Sequence, residues 1–138
     1  MEIIEEPFTN ELKKQIYDGF TQHSISMIGH DEKNPAVCFV VRENGKFLGT
    51  ITFELFWGAL HIKYIYVEEG NRGRQLGTKL LNKAEEYGRT HNCAFSFLET
   101  MSFQALDFYL KNGYDLEFTR SGFSHGSSFH YLRKELTL

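Results

Sequence analysis

The chain has 138 residues, of which 41% are hydrophobic, including 13 phenylalanines and seven tyrosines. We expect one folded domain over residues 1–138 with a sizeable apolar core, because this composition is far from that of a disordered chain. The net charge of −3 argues against a general nucleic-acid binder, which normally carries a basic excess.

The N-terminal segment predicts a strand and a helix. A short strand is expected at residues 2–6. Apolar residues at helical spacing, from Leu12 to Phe20, predict a helix from Thr9 to about Ile28. Residues 29–35 should form a loop.

Three strands should follow as an antiparallel meander, at Ala36–Arg42, Phe47–Phe56 and Leu60–Val67. The first two are separated by Asn44-Gly45, a pair that readily takes the positive φ angles of a type I′ turn. The hairpin between them is therefore the strongest short-range signal in the chain.

The second half predicts two helices, one at Gln75–His91, with an apolar stripe at Leu76, Leu80, Leu81, Ala84 and Tyr87, and one at Ser102–Asn112. It also predicts three strands, at Cys93–Glu99, Tyr114–Arg120 and Phe129–Glu135. The first of these strands is largely apolar, as expected where both faces of a sheet are covered. Together the elements predict an α+β fold. It has a mixed, largely antiparallel sheet of six or seven strands, flanked by about four helices.

The stretch from Val67 to Leu81 is a candidate anion site. It combines a strand end, a glycine-bearing turn and the start of a helix, where backbone N–H groups lack partners and the helix dipole is positive. Glycine would let a phosphate approach, and arginines would bind its oxygens. A plain strand-to-helix turn with solvated arginines is the alternative.

Two short motifs follow the meander, one at Arg72–Gly77 and one about thirty residues later, at Ala105, Phe108, Tyr109, Gly113 and Tyr114. In these motifs and in the order of its elements, the chain resembles the GNAT superfamily of acyl-CoA-dependent N-acyltransferases. Gln75 stands where the first signature of that family usually has a glycine. Ser102 stands where relatives often have an asparagine.

The resemblance implies direct transfer of an acetyl group from acetyl-CoA to a primary amine, without a covalent enzyme intermediate. The residues it assigns to acetyl-CoA are Ile65, Tyr66, Val67, Arg72, Gly73, Arg74, Gln75, Leu76, Gly77, Thr78, Ser102, Ala105 and Phe108. The pyrophosphate is expected on the turn before the second helix, and the pantetheine arm along the Ile65–Val67 edge, where the family's sheet splays apart.

The same resemblance suggests catalytic roles. The Ile65 N–H would polarise the thioester carbonyl, and Tyr109 would protonate the departing thiolate. Glu99 or Glu54 would accept the amine proton, with Glu99 preferred because ligands bind at the carboxyl ends of strands in such sheets. His61 is a third candidate for the base, although an ordinary strand histidine is the simpler interpretation.

Other readings remain open. A catalytically weak or inactive CoA-binding or sensing domain is the main alternative, and a plain interaction module is another. The acceptor is a small-molecule or peptide amine of undefined identity. A homodimer is open, since relatives often dimerise.

The sequence also bears on metal binding, on the cysteines and on the location of the protein. No His/Cys cluster has metal-ligand spacing, so no metal is expected. Cys38 and Cys93 lie in apolar runs and are expected to be buried, reduced thiols. Since we find no signal peptide and no apolar run long enough to cross a membrane, we expect a cytoplasmic protein with no membrane or nucleic-acid partner.

Overall fold

The computed structural model describes residues 1–32 and 34–137. The chain divides into two compact units, Met1–Lys33 and Asn34–Leu138, and each is described by itself. Within the described residues, no helix is long and apolar enough to cross a membrane.

The first unit contains the predicted helix, α1, at Asn10–Ile28. The Thr9 hydroxyl caps it by accepting the Leu12 N–H at 3.1 Å, and Gly29 ends it in the left-handed region with φ 76°. The strand expected at residues 2–6 is wrong, because these residues belong to no sheet. A strand persists only when a neighbouring strand completes its hydrogen bonds. The predicted loop at 29–35 includes Lys33, which lies outside the described residues.

The second unit is built on one sheet. Its strands are β1 (Val37–Glu43), β2 (Lys46–Phe56), β3 (Ala59–Val67), β4 (Phe95–Met101), β5 (Asp115–Phe123) and β6 (Ser127–Glu135). Within the described residues these six are ordered β1-β2-β3-β4-β6-β5, and every neighbouring pair is antiparallel except β3 and β4. The predicted fold class is confirmed.

The helical elements of this unit are α2 (Leu76–Thr90), α3 (Leu106–Lys111) and two short 3-10 helices, Glu69–Arg74 and Ser124–Gly126. One face of α2 is buried through Leu80, Leu81 and Ala84. They belong to the same apolar cluster as the inward side chains of β2 and β3, and complete burial of one leucine contributes about 1.5–3 kcal/mol. The apolar stripe predicted for this helix is confirmed.

The hairpin prediction is also confirmed, since Asn44 has φ 53° and Gly45 φ 77°. The prediction for the cysteines is half right. Cys93 is buried, but Cys38 is exposed, with its Sγ 2.9 Å from the hydroxyl of Thr50. The cause is strand alternation, because β1 directs Phe39 rather than Cys38 toward the core cluster.

The helix expected from Ser102 begins only at Leu106. Residues before it are held elsewhere: the Ser102 N–H donates to Ser128 O at 2.9 Å, and its Oγ accepts the Ser128 N–H at 3.0 Å. These bonds continue the ladder between β4 and β6 past Met101. The chain therefore cannot coil into α3 until the ladder ends.

Candidate active site

The strands β3 and β4 are paired over only a short length. They pair only at Leu60 with Ser96 and at His61 with Phe97. In β3 the register with β2 shifts within the next few residues, which marks a bulge at Lys63. A gap therefore opens in the sheet between the C-terminal parts of these two strands.

The backbone of β3 presents hydrogen-bonding groups to this gap. The Glu68 N–H donates to Leu48 O, across to β2, at 2.8 Å. Because backbone groups alternate sides along a strand, those of Tyr66 also face β2, whereas those of Ile65 and Val67 face the gap. Of the three predicted edge residues, Ile65 presents both main-chain groups to the gap and Tyr66 presents neither. Val67 presents its N–H, while its carbonyl accepts a bond from Arg72.

The predicted anion turn lies directly after β3. The 3-10 helix Glu69–Arg74 leads into Gln75, which adopts the left-handed region with φ 58° and ψ 27°. α2 begins at Leu76 with no side-chain cap and with no acidic residue in its first turn. The first amides of α2, before the Lys79 N–H that bonds Gln75 O, therefore have no intrahelical acceptor and suit an anion.

The two arginines of the turn differ. Arg72 Nε donates to Val67 O at 3.2 Å, which ties the turn to the end of β3. Arg74 instead donates to Glu43 Oε2 at 2.7 Å and to Asn71 Oδ1 at 2.9 Å. This hydrogen bond and the charge of Arg74 lower the pKa of Glu43. The structure therefore pairs the charge of Arg74 with a carboxylate, whereas Arg72 bonds a neutral carbonyl and keeps its charge available for an anion.

The glycines of the motif also differ. A Cβ added at Gly73 would meet nothing within 4 Å, so this position is open. One added at Gly77 would lie 3.2 Å from the ring of Phe108. Gly77 and Phe108, both predicted to touch acetyl-CoA, are thus in contact with each other. Their contact sets how closely α3 packs on α2.

Tyr109 lies on α3 and is 5% exposed. Its ring meets those of Phe108 and Tyr114 edge to face, with centroids 5.1 and 5.7 Å away. Burial raises the pKa of Tyr109 to about 12, so the phenol keeps its proton at neutral pH. Burial also raises the pKa of Tyr114, whose hydroxyl is 2.7 Å from Ser96 Oγ.

The remaining predicted contacts lie where β4 gives way to α3. Ala105 precedes α3, and its N–H donates to Thr100 Oγ1 at 3.4 Å. Ser102 is occupied by its two bonds to Ser128, described above. The side chain that replaces the usual asparagine is therefore engaged with β6.

The two predicted carboxylates lie together on the opposite face of the sheet from α2. His61 joins them: its Nε2 is 2.8 Å from Glu99 Oε2, and its Nδ1 is 3.9 Å from Glu54 Oε1. The imidazole ring is stacked on Phe97 with centroids 4.3 Å apart. Each carboxylate is about one-third exposed, at 28% for Glu54 and 30% for Glu99, so both remain open to a ligand.

Lys63 adds a cation to this cluster and was not predicted. Its Nζ is 3.9 Å from Glu54 Oε1, because the bulge in β3 carries it past the regular alternation. In the sequence, the only signal for this role of Lys63 was a charged residue between Ile62 and Tyr64. The cluster therefore consists of two carboxylates, one imidazole and one ammonium.

The site has features that suit an extended ligand with phosphate groups. The uncapped start of α2 suits a pyrophosphate, and the free edge of β3 suits an extended arm with amide groups. Within residues 1–32 and 34–137, no group of three or more His, Cys, Asp or Glu side chains is arranged to hold a metal ion.

Comparison with known proteins identifies the family. The sequence profile of the acetyltransferase (GNAT) family matches residues 1–114. Blasticidin-S acetyltransferase from Streptomyces morookaense is 36% identical over 95 residues, which are 68% of this chain and 70% of that protein.

Two solved structures extend the comparison. An acetyltransferase from Bacillus cereus has a TM-score of 0.82 and 28% identity, with 97% of each chain covered. An acetyltransferase from Bacillus anthracis, in complex with acetyl coenzyme A, has a TM-score of 0.67 and 19% identity. The similarity to the latter covers 78% of this chain and 66% of that one and concerns the fold alone.

Proposed function

Because the chain belongs to the GNAT acetyltransferase family and is an acyltransferase, we propose that it transfers an acetyl group from acetyl-CoA to a primary amine. The amine would attack directly within a ternary complex. The observation that carries the proposal is the gap between β3 and β4, which has the free start of α2 beside it. Buried Tyr109 belongs to the core on one face, and Glu99 lies on the other.

The chain's own groups would hold the co-substrate as follows. The amides of Leu76, Gly77 and Thr78, together with Arg72, would bind the pyrophosphate. The main chain of Ile65 and Val67 would pair with the pantetheine arm. When bound, acetyl-CoA supplies a thioester carbonyl that an amine can attack.

Two groups would stabilise the charge that develops during transfer. The Ile65 N–H would donate to the thioester oxygen, which becomes more negative as the amine attacks. Tyr109 would give its proton to the departing thiolate. Its raised pKa keeps that proton available throughout the neutral range, since deprotonation requires a pH far above 7.

The amine must lose a proton before or during attack. Glu99 would accept it, directly or through His61, because the 2.8 Å contact makes these two side chains one hydrogen-bonded unit. Glu54, at 3.9 Å from the imidazole and from Lys63, would orient His61 from the other side. A carboxylate-lined entrance also favours a cationic acceptor.

The test is acetyl-CoA consumption with a panel of amines that includes blasticidin S, for which one relative is named. For any acceptor found, Tyr109→Phe should lower turnover about a hundredfold while leaving acetyl-CoA affinity nearly unchanged. Tyr87→Phe is the matched control, because Tyr87 lies in the C-terminal part of α2 and packs against Phe39 and Phe53, away from the proposed anion turn and from Glu99.

Binding is measured separately by thermal shift. Ligand at about 100 times its dissociation constant should add roughly 2.7 kcal/mol to the free energy of unfolding. No shift at millimolar acetyl-CoA would overturn the proposal as a whole. Unchanged turnover in Tyr109→Phe would overturn only the role of that phenol.

A further inference from the structure

A buried ion pair lies outside the machinery proposed above. Glu85 of α2 is 1% exposed, and its Oε1 is 2.9 Å from Nζ of Lys134 on β6. Its other oxygen, Oε2, has no hydrogen-bond partner among the described residues. A buried ion pair of this kind adds little stability, because removing two charges from water costs about as much as their attraction returns. A role other than stability is therefore worth seeking.

Lys134 makes a second contact that suggests this role. Its Nζ donates to the carbonyl oxygen of Asn112 at 2.9 Å, and Asn112 ends α3. The last carbonyls of a helix lack intrahelical donors and form the negative end of its dipole, so an ammonium there is favourable. Gly113, at φ +91°, leaves room for it, since an added Cβ would lie 3.3 Å from Lys134 Cε.

The helix that Lys134 caps needs outside support. α3 spans only the six residues Leu106–Lys111, and isolated helices of that length are not stable in water. At its start Phe108 rests on Gly77 of α2. At its end the Tyr114 N–H donates to Tyr109 O at 3.0 Å. Whatever holds the Asn112–Tyr114 turn therefore also holds Tyr109.

We propose that Lys134 and Glu85 are positioning residues for Tyr109: Lys134 ties the end of α3 to Glu85, and so to α2. The inference rests on the proposed function, in which Tyr109 is the acid and the start of α2 binds pyrophosphate. The ion pair then joins the helix that carries the acid to the helix that carries the anion site. Neither residue is among those proposed to touch acetyl-CoA or the amine.

The main variant replaces both partners, Lys134→Met with Glu85→Met, which leaves no unpaired buried charge and keeps the side-chain volume similar. Its melting temperature should stay within a few degrees of the wild type. Its kcat should fall about tenfold, because a small displacement of a catalytic group is costly, while KM for acetyl-CoA changes less than about twofold. Lys111→Met, which removes an exposed lysine from α3, is the matched control and should change neither constant.

Two further measurements keep the inference separate from the proposed function. In a Tyr109→Phe background the double replacement should have no further effect on kcat, since residues that act through one group are not additive. Hydrogen exchange of the Tyr114 amide can be measured without any amine substrate. It should become faster in the double variant and not in Lys111→Met. Glu85→Gln, which keeps an acceptor for Lys134, should retain kcat within about twofold.

Unchanged kcat and unchanged Tyr114 exchange in a folded double variant would overturn the inference and leave the proposed function standing. The inference would also be overturned if the double replacement lowered kcat by the same factor in the wild type and in the Tyr109→Phe background. If Tyr109→Phe alone keeps full turnover, the proposed acid fails and the inference fails with it. Should the double variant not fold, Lys134→Met with Glu85→Gln takes its place, because it also removes the bond to Asn112 and leaves no unpaired buried charge. Unchanged kcat and unchanged Tyr114 exchange in that variant would overturn the inference.

Discussion

The substitution Gln75→Gly tests the turn that precedes α2. Gln75 has φ 58° and ψ 27°, a left-handed conformation that costs a residue with a Cβ roughly 1–2 kcal/mol. Glycine takes this conformation without steric cost, but it loses about 0.5–1 kcal/mol more conformational entropy on folding. The difference predicts that Gln75→Gly raises the free energy of unfolding by about 0.5–1 kcal/mol.

Denaturant and thermal unfolding measure this effect. For a chain of this size the melting temperature should rise by about 2–4 °C. Gln75→Ala is the control, because it removes the side chain but keeps the Cβ and therefore the strain. Asn92→Gly provides a second comparison: Asn92 has φ 63° just after α2, and asparagine tolerates this region better, so its gain should be smaller.

The same variant reports on the proposed anion site. Removing the Gln75 side chain opens the turn without altering the amides of α2, so CoA affinity should be equal or tighter. A loss of stability in Gln75→Gly would refute the strain argument. Clear weakening of CoA binding would show instead that the Gln75 side chain contributes a contact of its own.

Three further predictions follow from the packing and burial of the site. Gly77→Ala should force the Phe108 ring to move by a few tenths of an ångström and should lower kcat. Gly73→Ala should leave kcat unchanged, because a Cβ there meets nothing within 4 Å. Equal kcat in the two variants would contradict the packing role of Gly77. Gly49→Ala places a Cβ 2.8 Å from Tyr66 O, so it should shift the C-terminal end of β3, weaken CoA binding measured by calorimetry and lower stability by about 1–3 kcal/mol; unchanged affinity would argue against the β3 edge as a ligand site. Because burial raises the pKa of Tyr109 to about 12, its phenol remains protonated as the pH passes the ordinary tyrosine pKa, and the pH–rate profile should show no fall centred near pH ~10; such a fall would mean that the acid is an ordinary, solvated phenol.

Features that depend on near neighbours in sequence were predictable. The Asn44-Gly45 turn needs only two residues able to adopt positive φ, and the buried stripe of α2 follows from apolar spacing alone. The strand expected at residues 2–6 failed because a strand depends on a partner that local pattern does not reveal.

Contacts between distant residues explain the differences at the site. The motif predicts that Gly77 binds phosphate. The structure shows that a side chain at this position would meet the ring of Phe108, which is distant in the sequence. The link between His61 and Glu99 spans 38 residues and depends on where β3 and β4 stop pairing. Hydrophobic periodicity carries no information about either distance.

The gap in the sheet accounts for how an acid and a base on different faces could serve one reaction. Strand alternation in β4 directs Leu98 toward the core cluster that contains Tyr109 and directs Glu99 to the other face, beside His61. In a continuous sheet the two faces would be separated by paired backbone. Glu99 lies two residues beyond Phe97, the last residue of β4 that pairs with β3, so it borders the gap, whereas Glu54 lies one strand away on β2. Within the proposed mechanism, this placement favours Glu99 over Glu54 as the base. The amine would enter from the Glu99 face, and the thiolate would receive its proton from the Tyr109 face.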